Sequence, residues 1–160
     1  MTVSVVSTGT PHCVLICERR PDDEEFLTIS AALETHPAFP ERTSVLWVLP
    51  VSSECVDVRI WERGVGETAG CGTGACAAVI VGRVLGLVGG SVKVVSRGGT
   101  CHVLYDIDLR PRLSVEAIVL SIGRIMMTKR ENLIEFALDR RYPIDRVDLP
   151  LSNDARTLCR

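Results

Sequence analysis

The chain has 160 residues, 46% of them hydrophobic and 24% charged, with 18 basic against 20 acidic side chains. This composition and length are typical of one globular domain and not of a disordered chain. The net charge of −2 provides no general attraction to nucleic acid or to an acidic membrane surface, so we expect neither as a partner. The longest apolar stretch contains Arg83 and several glycines, and the first ten residues lack the pattern of an export signal. We therefore expect a cytoplasmic protein without a membrane span.

The cysteines do not form a pattern typical of a disulfide framework or a zinc site. Their number is odd, no CxxC pair occurs, and the three histidines lack zinc-ligand spacing. We expect reduced thiols, most of them small buried groups. The seven are Cys13, Cys17, Cys55, Cys71, Cys76, Cys101 and Cys159.

The first two-thirds of the chain alternates between predicted strands and two predicted helices. The strands are apolar runs rich in β-branched residues and bounded by Gly, Pro or polar turns. In one of them Val56, Val58 and Ile60 alternate with polar or amphipathic residues, which predicts a half-buried strand. The predicted strands are Val3–Val6, His12–Cys17, Val45–Leu49, Val56–Glu62, Val92–Val95 and Cys101–Tyr105.

The helices are predicted from apolar spacing and from proline positions. One lies between Glu24 and Pro37, where the prolines end the pattern. A second, Thr73–Leu87, is apolar nearly all round, so it should be buried and wrapped by the sheet. After Asp106, the ranges Ser114–Met127 and Glu131–Arg140 have helical spacing. These patterns predict an α+β fold with residues 1–106 as one domain and residues 107–160 as a helical tail.

A glycine-rich loop, ERGVGETAGCGTGAC at residues 62–76, leads from a strand into the buried helix. Its Gly64–Ala69 segment fits the dinucleotide fingerprint, but Glu67 would face the pyrophosphate and no acidic residue follows to bind a ribose. A P-loop is excluded because the loop has no lysine. The loop instead presents Cys71 just before the first helical turn, where free N–H groups and the helix dipole stabilise a thiolate. Cys76 is interpreted as a buried core residue.

Three segments resemble the diaminopimelate epimerase family. Residues 62–76 are similar to a signature in the second half of that family, STGTPHCV at 7–14 resembles its SMGNPHCV stretch, and HPAFPERT at 36–43 resembles its HPxFPxRTN stretch. The resemblance covers about residues 1–106 and corresponds only to the C-terminal half of a family member. It implies a barrel-like, mainly antiparallel sheet around a central helix.

The resemblance also implies a function. The family inverts the carbon that bears the amino and carboxylate groups, converting LL- to meso-diaminopimelate in lysine and peptidoglycan-precursor synthesis. It uses two cysteines as base and acid and no pyridoxal phosphate, metal or nucleotide. By resemblance, Cys71 is one of these cysteines, His12 and Glu62 assist its ionisation, Glu62 and Arg63 also bind the substrate, and Gly72 and Thr73 hold the substrate carboxylate.

Three departures from the family pattern bear on activity. Thr10 and Ser44 occupy the positions of two asparagines that contact the substrate in the family, so the exact amino acid is open. The half that brings the other cysteine is missing, so a separate N-terminal half or a second copy in a homodimer would complete the site. Two alternatives therefore stay open: a non-catalytic half-domain or truncated remnant that acts as a binding or assembly module, and a related racemase with another amino-acid substrate.

Overall fold

The computed structural model describes residues 3–105 and 110–115, together with the backbone of two later strands at 123–127 and 134–138. One compact unit contains the described residues up to Val115, and a second contains the two later strands. The first unit has eight strands and two helices. They are β1 Ser4–Ser7, β2 Pro11–Ile16, α1 Asp23–Glu34, β3 Ser44–Ser52, β4 Cys55–Glu62, β5 Gly66–Thr68, α2 Gly72–Val84, β6 Ser91–Ser96, β7 Gly99–Tyr105 and β8 Pro111–Val115.

All eight strands form one curled, half-barrel sheet in the order β1-β2-β3-β4-β6-β7-β8, with β5 paired to β4. The six predicted strands are all present, whereas the short β5 was not predicted. The sheet is mixed and so departs from the expected antiparallel barrel: β2 pairs with β3, and β4 with β6, in parallel. The connections explain this difference, because α1 and α2 provide the long crossovers that parallel neighbours require.

The two helices pack on opposite faces of the sheet, which follows from the two-residue period of the strands. On the α2 face, Val56, Val58 and Ile60 are at most 3% exposed, as their alternation predicts. On the other face, Trp47 and Trp61 pack with Phe26 of α1. The indole Nε1 of Trp47 donates to Ser30 Oγ at 3.0 Å, which satisfies a polar group buried under α1.

Helix α2 is buried through most of its length but is shorter than predicted. Its residues up to Gly82 lie largely in the core, whereas Val84 is 75% exposed. Leu85 and Leu87 are also exposed, so the prediction of an all-round buried helix to Leu87 is wrong at its end. The helix stops because Gly86 takes a left-handed φ of 72° and turns the chain away. Within the described residues, no helix is long and apolar enough to span a membrane.

Helix α1 begins and ends at local signals that the sequence contains. The Asp22 carboxylate caps it by accepting from the Glu25 N–H at 2.8 Å. The helix ends at Glu34, before Pro37. Its largest fully buried side chain is Phe26, and the Arg59 guanidinium lies 3.9 Å from the centroid of this ring.

The prediction of a helical tail is wrong wherever the tail is described. Strand β8 extends the first sheet by pairing with β7, so that sheet continues past residue 106. In the second unit, β9 Gly123–Met127 and β10 Ile134–Leu138 form an antiparallel pair. The expected helices Ser114–Met127 and Glu131–Arg140 overlap these strands. Short apolar runs fit either period, and here cross-strand pairing outweighs helical spacing.

Candidate active site

Three of the predicted site residues lie in one row across neighbouring strands. His12 of β2 is the register partner of Ser44 of β3. Val45 is paired with Trp61 of β4, so Glu62, the next residue of β4, lies at the level of Ser44. Because alternate residues share a face, this row continues the α2 face of the sheet. The strand register thus brings together residues that are 50 positions apart in the chain.

His12 is a buried, electrostatically coupled group at the start of this row. It is 1% exposed, and its Nε2 lies 3.3 Å from Thr10 Oγ1. Its Nδ1 is buried without a hydrogen-bond partner among the described residues. Burial lowers the pKa of His12, the nearby Glu62 carboxylate opposes that shift, and Arg63 adds to it. A neutral imidazole beside a carboxylate is suited to moving a proton.

Ser44 connects β3 to the segment that follows β4. Its Oγ accepts from the Arg63 backbone N–H at 3.1 Å, and the residue is 6% exposed. The Arg63 guanidinium donates from Nη1 to the Glu41 carbonyl at 3.0 Å. An arginine has five N–H donors, so this contact leaves others for a carboxylate ligand.

Cys71 is the N-cap residue of α2, as the glycine-rich loop predicts. Its extended backbone places Sγ where it accepts from the Gly74 N–H at 3.4 Å, and Sγ lies 3.3 Å from Thr73 Oγ1. The Cys71 carbonyl accepts the first helical bond, from Ala75 at 2.9 Å. The N–H groups of Gly72 and Thr73 precede that bond and have no acceptor within the helix. Anionic groups are favoured at such a position.

Contacts on both sides hold the start of α2 against the sheet. A Cβ built on Gly74 would lie 3.0 Å from Leu46 Cδ2 and 3.3 Å from Cys71 Sγ. Leu46 lies two residues after Ser44 and on the same face of β3, so the start of α2 packs on the sheet face that carries the row. On the other side, Thr8 Oγ1 donates to the Thr73 carbonyl at 3.2 Å.

The other described free cysteines differ from Cys71 in their surroundings. They are Cys13, Cys17, Cys76 and Cys101. Burial raises the pKa of Cys13 to about 11, and burial also raises the pKa of the other three. The Cys76 thiol is further disfavoured as an anion by Cys71.

A cleft of about 540 Å³ opens beside the start of α2. Its lining is more apolar than polar and includes Gly72, Thr73 and Cys76 of the helix. The opposite walls come from the end of β1 and from β8, the two edge strands of the curled sheet. A ligand held at the helix N-terminus therefore has apolar surface beside it.

Sequence reasoning missed two residues that shape the site. Gly98 donates to the Ala69 carbonyl at 2.6 Å, and a Cβ on Gly98 would lie 2.9 Å from that oxygen, so this glycine allows the β6–β7 turn to support the Cys71 loop. Glu34 is buried and receives hydrogen bonds from Trp61 and Gly64. The one sequence signal for Glu34 is a carboxylate at a position where the helical spacing predicts a buried side chain.

A comparison with family models covers the region that contains these residues. The family model described as diaminopimelate epimerase matches residues 4–114, more than half of the chain. The chain belongs to this family. The match includes the helix start and all three strands of the row, and it extends through most of β8.

Curated relatives are similar over the same region. The chain is 45% identical over 101 residues to the diaminopimelate epimerase of Pelotomaculum thermopropionicum, covering 63% of this chain and 36% of that protein. It is 44% identical over 109 residues to that of Desulforudis audaxviator, covering 68% and 39%. The chain therefore spans little more than a third of the length of these relatives.

Solved structures support the fold at lower sequence identity. A PhzF-family phenazine biosynthesis protein of Enterococcus faecalis superposes with a TM-score of 0.52 at 14% identity, covering 66% of this chain and 39% of that chain. A Bacillus anthracis protein of the same family gives 0.52 at 15% identity, covering 69% and 37%. At this identity the likeness indicates the shared fold alone.

Proposed function

We propose that this chain is the half of a diaminopimelate-type amino-acid epimerase that carries one of the two acid–base cysteines. The observation that carries the proposal is the position of Cys71. It caps α2 and lies beside the sheet face on which His12, Ser44 and Glu62 form a row. The relatives' names favour an amino acid as the small-molecule substrate.

The proposed chemistry is proton transfer at the substrate α-carbon. The Cys71 thiolate removes the α-proton, and the electron pair left on carbon delocalises into the carboxylate. The N–H groups of Gly72 and Thr73 are placed to stabilise that charge, as helix N-terminal donors do. The buried imidazole of His12, with Glu62 beside it, serves as the group that takes up the thiol proton before each cycle. The chain's own residues supply every group in this step, without pyridoxal phosphate, metal or nucleotide.

Inversion requires a second proton donor on the opposite face of the substrate. Cys71 is the one cysteine that the resemblance assigns to catalysis, and the chain spans 36% of a relative's length. We therefore propose that either a separate N-terminal half or a second copy of the chain supplies the other acid. Alone, the chain would exchange the α-proton and return it to the same face.

The two hydroxyl substitutions bear on which amino acid binds. In this structure Ser44 Oγ accepts from the Arg63 backbone, and Thr10 Oγ1 lies against His12. Both hydroxyls thus have internal partners, whereas an asparagine at either position would reach further. This observation favours, as a second candidate, a related racemase with a substrate other than diaminopimelate.

Deuterium exchange tests the proposal. LL-diaminopimelate, and a panel of other amino acids, would be incubated with the chain in heavy water, with α-deuterium followed by NMR and stereochemistry by chiral chromatography. We expect exchange that is lost in Cys71→Ser and retained in Cys17→Ser, a control on the far face of the sheet. Light scattering would give the oligomeric state. Exchange confined to another amino acid would support the racemase, and neither exchange nor binding would support a non-catalytic module.

A further inference from the structure

Glu34 lies outside the cleft, yet its carboxylate holds the segment that follows Glu62. It is the last residue of α1, and its side chain is 9% exposed. Its Oε2 accepts from Trp61 Nε1 at 2.7 Å, and its Oε1 accepts from the Gly64 N–H at 2.8 Å. Arg42 Nη1 lies 3.5 Å from the same Oε1. The carboxylate therefore contacts the residue on each side of the Glu62–Arg63 pair.

The segment after Arg63 needs such an external acceptor. Gly64 and Gly66 have left-handed φ values of 76° and 92°, and Val65 donates to the Glu62 carbonyl at 3.0 Å to close a tight turn. Within the turn the Gly64 N–H is directed outward, to Glu34. Charge-assisted hydrogen bonds are shorter and stronger than neutral ones, so the carboxylate restrains the turn firmly.

The backbone of Glu34 restrains the other side of the site. Its carbonyl accepts from the Thr43 N–H at 3.2 Å, immediately before Ser44. Arg42, which directly precedes Thr43, adopts a left-handed φ of 61°, and this is uncommon for a residue other than glycine. Ser44 in turn accepts from the Arg63 N–H. One residue thus ties the start of β3 and the end of β4 together.

The charge state of Glu34 agrees with this role. Burial raises the pKa of its carboxyl, but the hydrogen bonds from Trp61 and Gly64 and the charge of Arg42 outweigh burial, so the pKa lies below its usual range. The acceptor is therefore ionised at neutral pH. The hydrogen bonds and the ion pair therefore more than offset the cost of burying this charge.

We propose that Glu34 is a positioning residue, which sets the orientation of Glu62 and Arg63 toward the substrate from the opposite face of the sheet. This inference rests on the proposed epimerase function for its effect on turnover, but not for its effect on the turn. Glu62 and Arg63 would touch the substrate, whereas Glu34 acts only through the backbone that carries them.

The test compares Glu34→Gln and Glu34→Ala with the control Glu24→Gln, which removes an exposed carboxylate from the same helix. Amide hydrogen exchange of the full chain would be followed at Gly64 and, as an internal reference, at Val58 and Ile60 in β4. Losing one charge-assisted hydrogen bond should speed Gly64 exchange by about 10- to 100-fold in Glu34→Ala while the references stay unchanged. The glutamine keeps one acceptor oxygen, so Glu34→Gln should show a smaller increase.

Turnover is the second measurement. Kinetics of α-proton exchange should show kcat/KM lowered by about 10- to 100-fold in Glu34→Ala, as expected when reacting groups are misplaced without being removed, and partly restored in Glu34→Gln. Unchanged Gly64 exchange in both variants, or an increase shared equally by Val58 and Ile60, would overturn the proposal. If Glu34→Ala does not fold, Gly64 exchange in Glu34→Gln tests the proposal: a selective increase supports it and an unchanged rate overturns it. A wild-type chain without exchange activity, but with the expected Gly64 effect, would refute the epimerase function and support the positioning role in the turn.

Discussion

Selective alkylation of Cys71 is the most direct consequence of the site geometry. The perturbation is a limiting amount of iodoacetamide at pH 7.5, which reacts with thiolates and not with thiols. Cys71 is partly exposed, and its Sγ accepts a hydrogen bond from the first turn of α2. We expect it to be the first modified of the five free cysteines that the structure describes.

The structure indicates why the other free thiols should react more slowly than Cys71. Cys13 is 0% exposed and has its pKa raised to about 11, so roughly one thiol in 3,000 is ionised at pH 7.5 before any protection by burial. Each further unit of pKa lowers the thiolate fraction tenfold. Burial raises the pKa of Cys76 and Cys101, and Cys17 donates its thiol proton to the Val48 carbonyl. Cys71 should therefore be alkylated before any of them.

Peptide mapping by mass spectrometry measures this order. The control is the same reaction in denaturant, where the preference for Cys71 should disappear because it depends on the folded helix start. Preferential labelling of Cys13 or Cys76 in the folded chain would refute the assignment of Cys71 as the accessible thiol at the start of α2.

Three further perturbations separate site geometry from stability. In Gly74→Ala the added methyl would lie 3.0 Å from Leu46 and 3.3 Å from Cys71 Sγ, so overpacking should offset the gain of about 1 kcal/mol in helix propensity and slow Cys71 alkylation; faster alkylation and a higher Tm would contradict this. Burial lowers the pKa of His12 below its ordinary value of 6.5, so as the pH falls below 6.5 the unfolded chain binds a proton at this residue more readily than the folded chain does. Stability should be full above pH 6.5 and fall as the pH drops toward the folded-state pKa, and His12→Asn should flatten that part of a urea-unfolding series; an unaltered slope would show that another group causes it. Arg63→Ala removes an exposed hydrogen bond to the Glu41 carbonyl but keeps the backbone N–H that Ser44 accepts. The free energy of unfolding should therefore change by about 1 kcal/mol or less, while calorimetry shows weaker diaminopimelate binding. A large loss of Tm with unchanged binding would indicate a purely structural arginine.

The strands could be predicted from the sequence because their signal is local. Val56, Val58 and Ile60 mark one buried face without reference to any other segment. The parallel pairing of β2 with β3 is a property of two segments separated by α1, and nothing within either strand encodes it. The same limit applies to β5, whose three residues are too few to show a period.

The tail shows the opposite failure, in which a local signal is misleading. Segments such as Ile134–Leu138 contain apolar residues that satisfy helical spacing over a short window. The same five residues fit a strand equally well. Only the pairing with β9 decides between helix and strand. Propensity is a weak prior when tertiary pairing is available.

The candidate site also contains residues with a local sequence signal and residues whose proximity depends on distant segments. Cys71 could be found because glycines flank it and a helix follows, which are both local features. His12 and Glu62 were assigned by resemblance, and their proximity depends on the register of three strands. Glu34 could not be found from sequence, since its role requires the end of α1 to meet a turn 30 residues later.

The alternation of β4 explains how a residue on the far face of the sheet can influence the site. Trp61 points to the α1 face, where its indole is held by Glu34, and Glu62 points to the α2 face, near His12. Neighbouring residues of a strand cannot rotate independently, because a shift of one changes the direction of the other. The indole of Trp61 is therefore an anchor for the Glu62 carboxylate. Under the proposed function, the chemistry of the α2 face would therefore depend on packing beneath α1, although no atom of α1 would need to reach the substrate.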